Sequence, residues 1–156
     1  MALDYKNRKD TNSALSRTLK LRIPPDPRHA RTVRDAITGF AALQGVHDGD
    51  VESLLFAVGE ALANAIEHAK AQAEIDVTCR IDDRQIVTQI VDFGRGFAQL
   101  PGAAMPLPEG LVERGRGIPI MQRCTDIFTV ESLPGEGTAV TLGRFRSRRQ
   151  ESGAVL

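Results

Sequence analysis

VGEALANAIEHA, residues 58–69, is the stretch of this 156-residue chain that decides the fold. Apolar side chains recur around it at the spacing of one helix face, and the stripe they form should pack against a sheet: Leu55, Val58, Leu62, Ala65 and Ala69. Glu60 and Asn64 lie one turn apart and about 40° from each other around this helix, nearly opposite the stripe. Their neighbours are small, namely Ala57, Ala61 and Ala63, and the helix carries no Lys or Arg. The pair is therefore either a site that another group approaches closely or the solvated face of an alanine-rich helix.

Alternating and helical segments on both sides of this helix predict the rest of the fold. A period of two predicts strands over residues 18–23, 75–81, 86–90, 127–131 and 138–142, and helical spacing predicts helices over 28–43, 48–69 and 119–123. Asp48 or Asp50 is expected to cap the long helix, and Gly45 stands where the first helix should end. This order predicts an α+β two-layer α/β sandwich, with a mixed, mostly antiparallel sheet of about five strands and two or three helices on one face. It excludes a doubly wound βαβ nucleotide fold.

Composition and charge restrict the class of protein. Lysine plus arginine equals aspartate plus glutamate, 20 against 20, so no net field draws the chain to nucleic acid or to an anionic membrane. We expect one domain over residues 17–144, between a flexible tail at 1–16 and a flexible basic tail at 145–156.

No apolar run approaches the ~20 residues of a membrane span, and the N-terminus lacks the apolar segment of a secretory signal. Cys79 and Cys124 match no metal-ligand spacing and are expected to be reduced core thiols of a cytoplasmic protein.

Three glycine-containing turns follow the long helix. Asp92-Phe93-Gly94-Arg95-Gly96 ends a strand, where the carboxylate can accept hydrogen bonds from an exocyclic amine and the glycines give a ligand access to backbone N–H groups. Gly115-Arg116-Gly117 closes a long Gly- and Pro-rich loop and leads into a helix whose N-terminus offers free amides to phosphate. Gly137 and Thr138 begin the last strand, where a hydroxyl on an otherwise apolar face needs a partner. Each of these segments taken alone is also consistent with a turn or helix cap that binds nothing.

In their order and spacing these elements resemble the motifs of the GHKL ATPase superfamily, and most closely those of its anti-sigma factor serine kinase branch. The resemblance covers residues 19–142. The segment from Glu60 to Ala69 is similar to the N box of that branch. The three turns, which lie at 92–96, 115–117 and 137–138, are similar to its first glycine box, its second glycine box and its final threonine motif. The resemblance implies a Bergerat fold that binds ATP with Mg²⁺.

The resemblance also implies a role for each matched residue. Glu60 would act as general base on an attacking serine hydroxyl, and Asn64 would coordinate the Mg²⁺ that bridges the phosphates. Asp92 would hold the adenine amino group, assisted by Thr138 through a water. The remaining matched residues are Gly94 and Gly96 for the adenine floor, Gly115 and Gly117 for phosphate access to backbone amides, and Arg114 and Arg116 as candidates to neutralise the γ-phosphate. His68 would pack or hydrogen-bond beneath the pocket.

The activity implied by the resemblance is that of a protein-serine kinase. Its substrate would be an anti-anti-sigma partner of the STAS type, it would alternatively bind and inhibit a sigma factor, and it would form a homodimer. A second interpretation is an ATP-binding sequestering or switch module without significant kinase turnover.

A third interpretation, nucleic-acid binding through Arg144, Arg146, Arg148 and Arg149, lacks interleaved aromatic residues, and a solvated tail explains the same arginines. Eukaryotic-type kinases, Walker-type phosphate loops and dinucleotide folds are excluded because their motifs are missing.

Overall fold

The alternating segments of the chain form a single antiparallel sheet. In the computed structural model, which describes residues 17–70, 72–96 and 117–148, the strands are β1 (Arg17–Ile23), β2 (Ile75–Ile81), β3 (Gln85–Asp92), β4 (Ile127–Leu133) and β5 (Gly137–Phe145). Their order is β1-β2-β3-β5-β4, and each of these pairings is antiparallel. The helices are α1 (Ala30–Leu43), α2 (Asp48–His68) and α3 (Gly117–Cys124), with a 3-10 turn at Pro27–His29. The predicted α+β sandwich is confirmed, and the described part of its sheet is antiparallel throughout rather than mixed.

The hairpin of β2 and β3 carries the predicted alternation into the core. Its buried positions, which face the helices, are Ile75, Val77, Cys79 and Ile81 on β2 and Ile86, Thr88, Ile90 and Asp92 on β3. The turn between the strands is closed by Asp82, whose Oδ1 accepts hydrogen bonds from the N–H groups of Arg84 and Gln85 at 2.8 and 2.9 Å. Because side chains alternate between the two faces of a strand, the pattern that buries the isoleucines of β3 also places Asp92 beneath the helical layer.

Helix α2 packs onto the sheet through a face that is broader than the predicted stripe. The buried apolar residues of this face are Val51, Leu54, Ala57, Val58, Ala61, Leu62 and Ala65. The interpretation of Ala57 and Ala61 as small neighbours of an open polar face is wrong, because both lie in the core. Ala63 is exposed, as expected for the opposite side of the helix.

The N-terminus of α2 is capped by His47 rather than by Asp48 or Asp50. The Nδ1 atom of His47 accepts a hydrogen bond of 3.1 Å from the N–H of Gly49, which satisfies one of the free amides of the first turn. Asp50 is buried and accepts hydrogen bonds from the N–H of Ser147 at 2.7 Å, from its hydroxyl at 3.0 Å and from the Arg144 guanidinium at 3.3 Å. The predicted cap is wrong because this carboxylate binds the other end of the chain.

The last strand continues past the end predicted for it. β5 ends at Phe145, and the guanidinium of Arg146 then donates hydrogen bonds to the backbone carbonyls of Asp82 at 2.7 Å and Gln44 at 3.0 Å. Part of the expected basic tail is therefore held against the domain. Residues 149–156 and the expected N-terminal tail at 1–16 lie outside the described residues.

The two cysteines of the chain are both free thiols. Cys79 is buried and Cys124 is half-buried, and burial raises the pKa of the Cys79 thiol to about 11. Among the residues that the structure describes, no helix combines the length and the hydropathy that crossing a membrane would require.

Candidate functional site

Asp92 is a carboxylate at the end of β3 with very little access to solvent. It is 4% exposed, and its Oδ1 accepts a hydrogen bond of 2.9 Å from the N–H of Gly94. Burial raises the pKa of this carboxyl, while the N–H groups of Gly94 and Thr138 and the nearby His68 oppose that rise. A buried carboxylate is stabilised by donors, so a ligand that brings an amino group to Asp92 would relieve the cost of its burial.

Thr138 lies directly beside Asp92 across the sheet. The two residues are register partners in the pairing of β3 with β5, and Thr138 is 6% exposed. In the pairing of β5 with β4 the partner of Thr138 is Ser132, and the two hydroxyl oxygens are 2.8 Å apart. Three polar side chains thus form a row across β3, β5 and β4 on the side of the sheet that faces the helices.

Two glycines hold this end of the sheet close to its neighbours. A Cβ atom on Gly94 would lie 2.0 Å from the carbonyl oxygen of His68, the last residue of α2. A Cβ atom on Gly137, whose φ is +120°, would lie 2.0 Å from the carbonyl oxygen of Asp92. Neither approach leaves room for a side chain.

The turn after β3 is also anchored to the turn between β4 and β5. The N–H of Gly135 donates a 2.7 Å hydrogen bond to the carbonyl of Arg95. Gly96 has a φ of +64°, and a Cβ atom there would lie 2.0 Å from the carbonyl oxygen of Leu133. The predicted glycine floor is thus a backbone layer packed between α2 and the turn from β4 to β5.

The acid–amide pair of α2 faces the start of α3. Glu60 and Asn64 are both half-buried. A Cβ atom on Gly117 would lie 3.2 Å from Glu60 Oε2 and 3.6 Å from Asn64 Nδ2. The structure therefore brings together Glu60, Asn64 and Gly117, and a solvated helix face does not describe this pair.

Helix α2 connects the two clusters. His68 contacts Gly94 at one end, and Asn64 and Glu60 lie one and two turns earlier, so about 12 Å of helix separates the Asp92 end of the site from the Glu60 end. This spacing suits an elongated ligand with a base at one end and charged groups at the other. Three of the predicted site residues, Arg114, Gly115 and Arg116, lie outside the described residues.

The donor set at the Glu60 end suits a magnesium ion. Mg²⁺ prefers oxygen ligands and is commonly bound through one or two protein groups together with substrate phosphates. A Cβ atom on Gly117 would meet both the carboxylate of Glu60 and the amide of Asn64, so the two side chains border the same point at the start of α3, and each carries an oxygen that can bind the ion. The residues present therefore fit a site that the ion completes with phosphate oxygens.

Ser132 is the residue of this site that the sequence reasoning missed. It lies in β4, where Phe128, Val130 and Ser132 are half-buried and the residues between them are exposed. This alternation was a usable signal, because it places Ser132 on the same face of the sheet as Thr138.

Comparison with known proteins identifies the family. The model of the histidine kinase-like ATPase domain matches residues 23–144. The chain is 32% identical to the anti-sigma F factor of Caldanaerobacter subterraneus subsp. tengcongensis over 126 residues, and this alignment covers 78% of this chain and 86% of that protein. It is 29% identical to the serine-protein kinase RsbW of Bacillus velezensis over 133 residues, and this alignment covers 79% of this chain and 83% of that protein.

A solved structure agrees with this assignment at the level of fold. The RsbU and RsbW domains of Rv1364c from Mycobacterium tuberculosis match with a TM-score of 0.63 at 20% identity, over 85% of this chain and 33% of that one. The chain therefore belongs to the histidine kinase-like ATPase family, in the GHKL branch that contains the anti-sigma factor serine kinases.

Proposed function

We propose that this protein uses Mg²⁺ and ATP to phosphorylate a serine of an anti-anti-sigma partner of the STAS type, and that it alternatively binds and inhibits a sigma factor. The observation that carries the proposal is the convergence of Glu60, Asn64 and Gly117 at one end of a site whose other end is formed by Asp92 and Thr138.

The base of ATP would bind at the Asp92 end. The carboxylate accepts a hydrogen bond from the exocyclic amine, and Thr138 contacts the same edge of the base through a water. The backbone layer of Gly94 and Gly96 would form the floor under the base. The buried position of Asp92 supports this role. Little water reaches this carboxylate, so an amino group of a ligand would supply a hydrogen-bond donor that the solvent does not.

The phosphates would bind at the Glu60 end. Asn64 would hold the Mg²⁺ through its amide oxygen, and the ion when bound neutralises charge on the phosphate oxygens. By resemblance, Gly115 and Gly117 would give the phosphates close access to backbone amides. Arg114 or Arg116 would neutralise the γ-phosphate, a role that also rests on the resemblance alone.

Glu60 would take the proton in the transfer step. The serine oxygen of the partner forms a bond to the γ-phosphorus as the bond from that phosphorus to the leaving oxygen of ADP breaks, and the hydroxyl proton passes to the Glu60 carboxylate. The carboxylate is half-buried next to the proposed metal ligand, which suits a group that orients the hydroxyl. The products are ADP and a phosphoserine on the partner.

The proposed partners follow from the names of the relatives. Proteins named anti-sigma F factor and serine-protein kinase RsbW imply a sigma factor and a phosphorylated regulator. A homodimer without direct nucleic-acid contact is part of the same proposal. The side chains of Arg144 and Arg146 support the latter point, because they bind Asp50 and backbone carbonyls of this chain.

Phosphate transfer tests the kinase directly. Wild-type protein is incubated with γ-labelled ATP, Mg²⁺ and a STAS-domain protein from the same organism, beside Glu60→Ala and the control Glu52→Gln, which removes an exposed carboxylate near the start of the same helix. We expect label on the STAS protein, a loss of roughly 10²-fold or more in Glu60→Ala with nucleotide binding kept, and an unchanged rate in the control. Nucleotide binding without any transfer to any STAS partner would instead favour the sequestering module.

A further inference from the structure

Phe56 is an exposed aromatic side chain on the same helix as Glu60. Its exposed fraction is 58%. It lies four residues before Glu60 in α2, which places it about 6 Å away along the helix axis and about 40° away around it. Side chains at this spacing are neighbours on a helix surface, so a group that reaches the Glu60 carboxylate comes close to Phe56 as well.

A groove between α1 and α2 extends from Phe56 toward the N-terminus of α2. The apolar part of its lining comes from both helices and consists of Ala42, Val51, Leu55 and Phe56. Three exposed charged residues border this α1–α2 groove, namely Arg34, Asp48 and Glu52. Exposed charges contribute little to binding one at a time, so the apolar lining should supply most of the affinity for an occupant. For the same reason the Glu52→Gln control of the transfer assay is expected to keep its rate.

The direction of phosphate transfer decides what approaches this surface. The proposed ATP site runs from Asp92, beside the C-terminus of α2, to Glu60 in the middle of the helix. The attacking and leaving oxygens of a phosphoryl transfer lie roughly in line through the phosphorus. Because the leaving ADP lies on the C-terminal side of Glu60, the serine hydroxyl arrives from the N-terminal side, where Phe56 and the α1–α2 groove lie.

We propose that Phe56 and the apolar lining of the α1–α2 groove dock the protein substrate by accepting an apolar side chain that lies beside the phosphorylated serine. The occupant is the STAS-type partner, and the inference rests on the proposed function. An extended segment advances about 3.3 Å per residue, so the 6 Å between Phe56 and Glu60 corresponds to a side chain about two residues from the serine. This contact adds affinity for the partner without touching ATP.

The transfer kinetics separate docking from chemistry. Transfer from γ-labelled ATP is measured on the full chain at rising concentrations of a STAS-domain protein from the same organism, and ATP binding is measured by calorimetry. For Phe56→Ala we expect KM for the STAS protein to rise about tenfold, the effect of losing one aromatic anchor of an interface. Because Phe56 does not touch the reacting atoms, kcat should stay within about twofold of wild type and the Kd of ATP should not change.

A second variant blocks the same surface without removing Phe56. Gly59 lies three residues after Phe56, and a Cβ atom there meets nothing within 4 Å, so a longer side chain projects into open space beside Phe56. Gly59→Gln should therefore also raise KM for the STAS protein while the fold is kept. If Phe56→Ala does not fold, Gly59→Gln carries the test.

Matched controls remove or add the same kind of group elsewhere on the helical layer. Leu43→Ala removes an apolar side chain that is 85% exposed and does not line the α1–α2 groove. Gly39→Gln adds a side chain to α1 at a position where a Cβ atom also meets nothing within 4 Å. Both controls should keep the wild-type KM.

Four results would overturn the inference. They are a wild-type KM in both Phe56→Ala and Gly59→Gln, an equal rise of KM in the Leu43→Ala control, a loss of ATP affinity that accompanies the rise, and a loss of sigma-factor binding with an unchanged KM for the STAS protein. The last result would assign the groove to the sigma factor. Failure of the proposed function is distinguishable, because wild-type protein would then transfer no phosphate to any STAS partner.

Discussion

Replacing Gly94 with alanine tests the close packing that holds the base end of the site. The new Cβ atom would lie 2.0 Å from the carbonyl oxygen of His68, whereas ordinary contacts begin at 3.4 Å. The end of β3 and the C-terminus of α2 must therefore separate by more than an ångström, and both are backbone, which cannot rotate away. Overpacking of this kind typically lowers the free energy of unfolding by about 1–3 kcal/mol. For Gly94→Ala we expect a loss of about 3 kcal/mol, which is a large part of the stability of a typical domain.

Urea unfolding followed by circular dichroism measures this cost. The matched control is Gly39→Ala, because Gly39 lies inside α1 and a Cβ atom there meets nothing within 4 Å. The control should be more stable than wild type by about 0.5–1 kcal/mol, since alanine is the better helix former. An unfolding midpoint of Gly94→Ala equal to that of wild type, with the control stabilised as expected, would refute the packing described for this glycine.

Three further substitutions probe other contacts of the fold and the site. Gly117→Ala forces Glu60 to shift by a few tenths of an ångström, so phosphate transfer should slow roughly three- to tenfold at nearly unchanged stability; a wild-type rate would contradict the contact. Asp50→Ala removes three hydrogen bonds from a buried carboxylate and should cost about 2–3 kcal/mol at pH 7. Burial alone would raise the pKa of Asp50, but hydrogen bonds from Ser147 and Arg144 lower it from its ordinary 3.8. The stability that Asp50 contributes is therefore fully present above pH 3.8 and is lost as the pH falls through the lowered pKa. A difference in unfolding free energy between wild type and Asp50→Ala that persists unchanged to about pH 2 would count against this network. Burial raises the pKa of Asp92 above 3.8. The stability that this shift contributes to the folded state is therefore present below pH 3.8 and is lost as the pH rises through the raised pKa. Ligand-free Asp92→Asn should therefore be at least as stable as wild type at pH 7 in thermal unfolding, and a marked loss there would contradict the cause assigned to the shift.

The sheet and α2 were predictable because their signals are local. Alternation predicted the hairpin of β2 and β3, and, had it been continued two residues past Ile90, it would also have predicted that Asp92 is buried. The same period two applied to β4 would have found Ser132. The broad buried face of α2 was harder to predict, because alanines such as Ala57 and Ala61 suit a core as well as an open surface, and only the tertiary packing around the helix decides between the two.

Contacts between distant parts of the chain were not predictable from local pattern. Asp50 has the residue type and position of a helix cap, but its carboxylate binds Ser147, which lies 97 residues later. The aromatic-poor, Arg-rich end of the chain has the composition of a solvated tail. The guanidinium of Arg146 nevertheless donates hydrogen bonds to backbone carbonyls of two separate turns. The nearness of Gly117 to Glu60 depends likewise on how α3 packs against α2.

Nucleotide uptake at Asp92 is the most direct test of the whole account. ATP is titrated with Mg²⁺ into wild-type protein, Asp92→Asn and the control Asp83→Asn, an exposed carboxylate in the turn between β2 and β3. We expect saturable binding by wild type and by the control, and binding at least tenfold weaker in Asp92→Asn, which is roughly the effect of one hydrogen bond to a charged group. Wild-type protein that takes up no ATP, or an Asp92→Asn variant that binds it as tightly as wild type, would contradict the account.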